Sequence, residues 1–212
     1  MSDKRSPSIT PPNRAWPRAE LEEMVQRWLQ GNIDAEKAGD WKTHLTPFYK
    51  EDAVYSWNIG PNEDFVAEGR QQIADIAIGY QMKGFEDWEY PYHDIIIDET
   101  RGTVIGFWKQ RAPYKRPDGT WYEIAGIGGS WFEYGGDWQW QWQRDFFDFG
   151  NAKDMFFQLA GAGVLSSVVK QKIHEQARGK LLPGHRRLHP APSVFQKMRN
   201  TFAIAKIALT GK

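Results

Sequence analysis

Apolar residues recur at helical spacing near the start of the chain and at alternating spacing in its centre. From Pro17, apolar side chains follow one another every three or four residues up to Leu29, which predicts an amphipathic helix. The letters "AGD" at 38–40 supply a terminating glycine and then a capping aspartate, so a second short helix is predicted from Trp41. A third amphipathic helix is predicted from "GRQQI", which begins at Gly69.

Alternation of apolar and polar residues predicts strands. "DAVYSWNIG" and "VAEG" are typical of two strands between the second and third helices. Beyond the third helix, strands are predicted over four runs: 90–98, 103–112, 121–134 and 137–148, the last after the turn sequence "YGGD". The predicted class is α+β, with the order α-α-β-β-α-β-β-β-β.

After Asn151 the pattern becomes helical again. Two apolar-periodic stretches, "DMFFQLAGAGVLSSVVKQKIHEQA" and "SVFQKMRNTFAIAKIALTGK", are separated by "RGKLLPGHRRLHPAPS". Two helices with such a linker would make a thin core of their own. We therefore expect a disordered Ser/Pro-rich leader over 1–16, one domain over 17–150 and a helical extension over 151–212.

Composition favours an aromatic interior. Aromatic residues make up 15% of the 212 residues, and eleven of them are tryptophan, enough to build a large core or to line a pocket for flat apolar ligands. The absence of cysteine excludes disulfides, thiolate catalysis and cysteine-ligated metal sites. No apolar stretch is long enough for a membrane span and no signal sequence is evident, so we expect a cytoplasmic protein that is not integral to a membrane.

Charge is unevenly distributed although the formal net charge is zero. Residues 1–150 hold 16 Lys/Arg and 25 Asp/Glu, whereas 151–212 hold 11 and 2. A basic amphipathic helix can bind membranes or nucleic acid. Because the acidic body offers a complementary surface, we favour packing of the extension on that body or on a neighbouring subunit. We expect no nucleic-acid partner, and a homodimer or higher homo-oligomer with the extension at its interface.

His93 raises the first question about function. In "YPYHDIII" strand alternation places His93 on the face of Ile95 and Ile97, opposite Tyr92. A histidine on an apolar face is either a core residue bonded to a backbone carbonyl or a proton carrier, since its ordinary pKa is about 6.5.

Four further residues are candidates for catalysis. Asp145 could orient or charge an imidazole, act as a base, or simply form an ion pair with a neighbouring arginine. Tyr55 could donate a hydrogen bond to a developing oxyanion, or pack with its hydroxyl in water. Lys109 and Glu123 lie mid-strand among apolar residues, and each points either inward or to solvent.

Two sequence patterns bear on the pocket. In "DWQWQWQRD" alternation puts Trp138, Trp140 and Trp142 on one face. If Asp145 points inward, these tryptophans form a convex stripe that we expect a dimer interface or the C-terminal helices to cover; in the opposite orientation they line an aromatic pocket. "GIGGS" at 126–130 lacks the spacing of a phosphate loop and predicts room for a bend or a close ligand. The five histidines show no metal-ligand spacing, so no metal is expected.

Several segments together resemble the NTF2-like superfamily, in particular its SnoaL-like and scytalone dehydratase-like members. They are "AGDWKTHLTPFYKEDAVYSW", "GRQQI", "YHDIII", "TVIGFWKQR" and "WQRDFFD", spread over about 17–150. The resemblance implies a cone of three N-terminal helices and a strongly curved, mostly antiparallel sheet around one deep pocket. It also implies chemistry without a cofactor, and it leaves the C-terminal extension unaccounted for.

The family's catalytic residues carry over only in part. His93 matches the third-strand histidine of scytalone dehydratase-like enzymes, whose second histidine is not matched. Trp28 and Trp57 stand where ketosteroid isomerases have their tyrosine and aspartate. Tyr55 and Asp145 match a tyrosine and an aspartate of limonene-epoxide hydrolase-like enzymes. Those enzymes also need an Arg/Asp pair, and this chain has "FWKQ" at that position. Their asparagine falls at Trp57, although a bulge could bring the adjacent Asn58 into its place.

The resemblance thus implies a cofactor-independent lyase that acts by acid–base catalysis on an aromatic or polycyclic alcohol. The most concrete version is similar to the cofactorless formaldehyde lyases of lignin-derived diarylpropane diols. Catalysis would fall to His93, Tyr55 and Asp145, with Lys109 and Glu123 as further candidates. The pocket walls would come from Trp28, Trp57, Asn58, Trp108 and Trp121. The alternatives are an isomerase or epoxide hydrolase-like enzyme of the same fold, and a non-catalytic module that binds a small ligand.

Overall fold

The computed structural model describes residues 14–60, 62–190 and 192–211. Most of the expected disordered leader, residues 1–13, therefore lies outside the described residues. Arg14 and Trp16, which lie within the expected leader, contact the domain. The backbone N–H of Trp16 donates to the carbonyl of Glu99 at 2.9 Å, and its ring packs edge-on against Tyr134 with 4.8 Å between centroids.

Three helices precede or interrupt the first strands, as the sequence predicts. The N-terminal helix ends at Gly39, which adopts the left-handed conformation (φ 63°), and Asp40 caps the next helix by accepting from the N–H of Thr43. The third begins as an α-helical turn and continues as a π-helix. The bounds are α1 Arg18–Ala38, α2 Trp41–Leu45, a 3₁₀ turn Thr46–Phe48, and α3 Arg70–Gln72 with its π-helical continuation Ile73–Tyr80.

The strands form a seven-stranded sheet and a separate two-stranded ribbon. The strands are β1 Tyr49–Asn58, β2 Glu63–Glu68, β3 Tyr92–Asp98, β4 Thr103–Trp108, β5 Arg111–Lys115, β6 Trp121–Glu123, β7 Gly128–Tyr134, β8 Trp140–Phe146 and β9 His185–Arg187. The main sheet has the order β3-β4-β7-β8-β1-β2-β9, and β5 pairs with β6. Only β1 and β8 run parallel among these pairs.

Two of the predicted strands are broken. The run 103–112 divides into β4 and β5, and the run 121–134 divides into β6 and β7. Both breaks lie at the same level of the hairpin, so β5 and β6 bend away from the main sheet as a pair. The bend predicted from "GIGGS" thus falls at 124–127, immediately before β7.

One core fills the cone between the helices and the concave face of the sheet. Its largest fully buried side chains include Trp140, Tyr49, Phe132 and Phe65. Burial of each such side chain contributes about 1.5–3 kcal/mol. This core positions the polar side chains that follow, because they occupy the remaining inward positions of β1, β7 and β8.

The C-terminal extension packs against the bent ribbon. Its elements are α4 Phe149–Gly161, α5 Ser167–Ala177, the short β9 and α6 Val194–Thr210. The first predicted helix of the extension is therefore two helices, because Ser166 caps a new one. A second core joins Met155, Leu159 and Val169 of the extension to Trp88 and Tyr122 of the domain. The extension thus shares a core with the preceding residues.

Helix α6 is exposed on every side within the described residues. A capping box at Ser193 begins it, yet Phe195, Phe202 and Leu209 are 75%, 69% and 85% exposed. The expected packing of this helix on the acidic body of the same chain is therefore wrong for the residues described. None of the helices in the described ranges is long and apolar enough to cross a membrane.

Candidate active site

A cavity of about 720 Å³ lies between the cone and the C-terminal helices. Its wall is largely aromatic and includes Trp28, Trp57, Trp108, Phe85, Phe147 and Phe156. Helices α4 and α5 and the start of β9 supply part of this wall, so the extension completes the cavity. The volume is in the range that holds a drug-sized ligand of two or three rings.

Asp145 is the carboxylate of this cavity, and three side chains donate to it. Its Oδ2 accepts from the hydroxyl of Tyr55 at 2.5 Å. Its Oδ1 accepts from the hydroxyl of Ser130 at 2.6 Å and from Nε2 of Gln143 at 2.7 Å. A carboxylate offers about four acceptor positions. Within the described part of the chain, Oδ2 takes one donor only and can accept another from a ligand.

Sheet register brings these residues together. Strand β8 lies between β1 and β7, and Asp145 pairs with Trp57 on one side and with Ser130 on the other. Gln143 precedes Asp145 by two residues and so shares its face. Tyr55 is two residues before Trp57 and reaches Asp145 diagonally.

Burial raises the pKa of Asp145 to about 6. The hydrogen bonds from Ser130, Tyr55 and Gln143 act in the opposite direction because they favour the charged form. Burial and the nearby Asp145 charge raise the pKa of Tyr55 well above its usual 10. At neutral pH the site therefore holds a mostly ionised carboxylate beside a protonated phenol.

A second layer of hydrogen bonds fixes the donors. The hydroxyl of Tyr49 donates to Oε1 of Gln143 at 2.5 Å, which turns the amide nitrogen of Gln143 toward Asp145. The indole N–H of Trp108 donates to Ser130 at 2.9 Å. Hydrogen bonds from the aromatic side chains of Tyr49 and Trp108 therefore hold Gln143 and Ser130 in position around Asp145.

The prediction that His93 faces the cavity is wrong. The register of β3 against β4 shifts between Tyr92 and Asp94, so His93 is the extra residue of a β-bulge. Tyr92 consequently shares the inward face with Ile95, whereas His93 is exposed and lies outside the cavity wall. The hydroxyl of Tyr92 accepts from the indole of Trp28 at 2.9 Å.

A second bulge overturns the expected tryptophan stripe. Glu133 pairs with Trp142 and Tyr134 with Trp140, which leaves Gln141 without a partner across the strand. Trp140 is therefore fully buried in the cone, while Trp142 lies on the convex face and packs against Trp131 with centroids 5.5 Å apart. Asp145 and Gln143 both line the cavity. The expected inward direction of Asp145 is therefore confirmed, and of the three glutamines Gln143 shares it.

Lys109 and Glu123, the other two charged candidates, do not reach the cavity. They pair with each other at 3.2 Å, and Glu123 also pairs with Arg111 at 2.7 Å. These ion pairs tie β5 to β6 at the surface of the ribbon. The inward alternative for Lys109 and Glu123 is therefore wrong.

The expected wall residues divide into two groups. Trp28, Trp57 and Trp108 line the cavity with Tyr55 and Asp145. Trp121 is 40% exposed on the ribbon, where Nζ of Lys115 lies 4.6 Å from its ring centroid. Asn58 is exposed and donates to the backbone carbonyl of Glu63 at 3.3 Å. These two are not wall residues, because the bend of the ribbon and the end of β1 direct them to solvent.

Ser130 and Tyr92 are the site residues that sequence reasoning missed. Two glycines could have indicated these positions, one beside Tyr92 and one beside Trp108, the residue that donates to Ser130. A Cβ on Gly106 would lie 2.5 Å from the ring of Tyr92, and one on Gly128 would lie 2.6 Å from the ring of Trp108. Each glycine marks a place where a large ring lies directly over a strand. In the three described ranges, no group of three or more His, Asp or Glu side chains is arranged to hold a metal ion.

Comparison with known proteins addresses the fold. The sequence matches no protein-family model and no curated protein. PrhC from Penicillium brasilianum is similar in structure, with 13% identity, a TM-score of 0.51, and 71% of this chain and 95% of that chain covered. A structure described as a SnoaL-like polyketide cyclase from Shewanella denitrificans has 15% identity, a TM-score of 0.49, and covers 66% and 99%.

An NTF2-like protein from Anabaena variabilis gives 14% identity and a TM-score of 0.48, with 64% of this chain and 94% of that chain covered. At these identities the likeness concerns the fold alone. Three helices against a curved, mostly antiparallel sheet, followed by a helical extension, is the arrangement that the sequence predicts. The likeness to PrhC therefore shows a shared fold, and the observed architecture is the cone that the resemblance to the NTF2-like superfamily implies.

Proposed function

We propose that the protein is a small-molecule enzyme, and specifically a cofactor-independent lyase that acts on an aromatic or polycyclic alcohol. The observation that carries the proposal is Asp145: a carboxylate inside an aromatic cavity, held by Tyr55, Ser130 and Gln143, with one acceptor position left on Oδ2. A base whose pKa is about 6 is mostly ionised at neutral pH and still accepts a proton readily.

Asp145 takes the role that the sequence suggested for His93. A substrate hydroxyl donates to Oδ2 and transfers its proton there as a bond in the substrate breaks. The same carboxyl group then returns the proton to the leaving oxygen. Because the carboxyl group ends in its starting state, the cycle needs neither an oxidant nor a second base. General acid–base catalysis of this kind contributes roughly 10²–10⁴-fold in rate.

The most concrete substrate is a 1,2-diaryl-1,3-propanediol of the lignin-derived type. Asp145 removes the proton of the primary hydroxyl, the bond between the aryl-bearing C2 and the hydroxymethyl carbon breaks, and formaldehyde leaves. The electron pair of the broken bond forms the new double bond between C1 and C2 as the benzylic hydroxyl on C1 departs with the returned proton as water. The products are a stilbene, formaldehyde and water, which account for all atoms of the diol.

A second candidate function has support from the Tyr55–Asp145 pair. The sequence resembles epoxide hydrolase-like enzymes at these two positions, and a water on Oδ2 would be activated as a nucleophile in place of a substrate hydroxyl. An isomerase of the same fold would use the same carboxylate to move a proton within the substrate. A non-catalytic ligand-binding module would use the cavity without turnover.

One panel of compounds separates these functions. Purified protein is incubated with a diarylpropane diol, the same compound without its hydroxymethyl group, a hydroxynaphthol and an aryl epoxide, and products are identified by mass. Formaldehyde and stilbene from the diol support the lyase, and dehydration alone supports a dehydratase. A diol from the epoxide supports the hydrolase. Tight retention of a compound without any product contradicts the enzymatic proposal.

We also propose that the protein acts in the cytoplasm as a homo-oligomer. The support for the homo-oligomer is the exposed apolar surface of α6, since patches of this kind usually contact a partner.

A further inference from the structure

A second polar group lies in the cavity wall, on the side that the C-terminal extension supplies. Strand β9 pairs with β2 so that His185 is opposite Phe65. Nδ1 of His185 lies 2.5 Å from Oε1 of Glu63, and the side chain of His185 is only 3% exposed. His185 and Gln81 both line the cavity.

The partners of His185 define its tautomer. Nε2 of Gln81 lies 2.9 Å from Nε2 of His185, and with the amide nitrogen as donor the imidazole Nε2 is the acceptor. The proton of the neutral ring is then on Nδ1, where it is donated to Glu63. Burial lowers the pKa of His185, which keeps the ring neutral at pH 7. Its basic Nε2 therefore faces Gln81 at the cavity wall.

A row of packed rings connects this group to Asp145, with Tyr55 and Trp57 in the cavity wall and Phe65 buried behind it. The ring of Tyr55 packs edge-on against Trp57 at 5.2 Å, Trp57 stacks on Phe65 at 3.6 Å, and Phe65 packs edge-on against His185 at 5.9 Å. Asp145 and His185 thus line the cavity at opposite ends of this row of rings, with Trp57 in the wall between them. That pattern suits an elongated ligand with apolar rings in the middle.

We propose that His185 and Gln81 form a second binding subsite for the hydroxyl of a distal aryl ring. A phenol hydroxyl donates to Nε2 of His185 in place of the Gln81 amide, and accepts a hydrogen bond from that amide. Glu63 positions the imidazole. The class of ligand rests on the proposed function: a two-ring compound with a phenolic hydroxyl on the ring far from Asp145.

The test uses three probes that cannot react: 4,4′-dihydroxystilbene, 4-hydroxystilbene and unsubstituted stilbene. Dissociation constants are measured by calorimetry for the wild type, His185→Phe, Gln81→Leu and the surface control His174→Phe. Wild type should bind the dihydroxy probe at least roughly tenfold more tightly than unsubstituted stilbene, because a site built for a hydroxyl rejects the analogue that lacks it. His185→Phe and Gln81→Leu should each reduce that ratio roughly tenfold, and His174→Phe should retain it.

The ratio distinguishes a subsite from a structural link between β9 and β2. If His185 serves only to hold β9, its replacement weakens all three probes equally and the ratio is unchanged, which overturns the proposal. The comparison of probes in the wild type needs no variant, so a ratio near one there also overturns it. If no alcohol is turned over but the probes still differ in affinity as described, the proposed function is wrong and the subsite stands.

Discussion

The hydroxyl of Tyr55 donates a 2.5 Å hydrogen bond to Oδ2 of Asp145 across the parallel strands β1 and β8. The two strands are distant in sequence, and their pairing places a neutral phenol beside a carboxylate whose pKa is raised to about 6. The phenol remains protonated because burial raises its own pKa. The pair therefore combines an available base with a donor that limits how far burial raises the pKa of that base.

Tyr55→Phe should raise the pKa of Asp145 further. The hydroxyl favours the charged carboxylate, so its removal leaves burial opposed by Ser130 and Gln143 alone. A charge-assisted hydrogen bond of this kind corresponds to about one pKa unit or more. Carbon-13 NMR titration of labelled aspartates measures the shift, with Asp145→Asn to assign the signal. The control Tyr114→Phe, on exposed β5, should leave the pKa in place; an equal pKa in Tyr55→Phe would contradict the account.

Asp145→Asn should change how stability depends on pH. The pKa of Asp145 is about 6 in the folded protein and about 3.9 when unfolded. The folded state therefore binds more protons between these values, and this residue makes the wild type less stable as pH rises from 4 to 6. Relative to the wild type, the variant should gain about 2 kcal/mol between pH 4.5 and pH 7. Urea unfolding at the two pH values measures this gain; a difference that is constant with pH would refute the raised pKa.

Lys172 should anchor the extension to the cone. Its Nζ donates to the backbone carbonyls of Tyr80, Gln81 and Lys83 at 2.7, 3.0 and 2.8 Å. Lys172→Met leaves these carbonyls without that donor at the end of α3, which should cost about 2–3 kcal/mol of unfolding free energy. Chemical denaturation measures the cost, and the exposed Lys170→Met is the matched control. Equal stability of the two variants would show that the contact does not anchor the extension.

Helix α6 should mediate self-association. Val194, Phe195 and Met198 are 75%, 75% and 53% exposed at its first turns, and a second copy offers an acidic body to its basic side chains. Sedimentation analysis should give a dimer or higher oligomer for the full chain and a monomer for a chain ending at Pro192. The double variant Phe195→Ser/Met198→Ser should weaken association without loss of the fold. A monomeric full chain would contradict the prediction.

The sequence predicts the fold better than it predicts the site. Helix caps such as Asp40 and the alternation in β1 are local signals, and they place the elements close to where the structure has them. The site depends on parity along strands, and a single bulged residue reverses parity. The bulge at His93 turns Tyr92 toward the cavity in place of the histidine. The bulge at Gln141 turns Trp140 into the core.

Contacts between residues distant in sequence account for the cavity residues that the sequence does not predict. Ser130 becomes a partner of Asp145 only because β7 and β8 pair in one register. His185 reaches the cavity only because β9 adds to the edge of β2. No local pattern around "LPGHRR" specifies that edge, so the extension's part in the cavity could not be predicted from the residues alone. The resemblance to epoxide hydrolase-like enzymes points to Asp145 and Tyr55, two positions that the pairing of β1 with β8 brings together.

The most direct measurement compares Asp145→Asn with His93→Ala in release of formaldehyde from a diarylpropane diol. The exposed His93 should be dispensable, so His93→Ala should retain turnover within about twofold, whereas loss of the base should reduce kcat roughly 10²–10⁴-fold in Asp145→Asn. Turnover that survives in Asp145→Asn, or that is lost in His93→Ala, would contradict the assignment of proton transfer to Asp145.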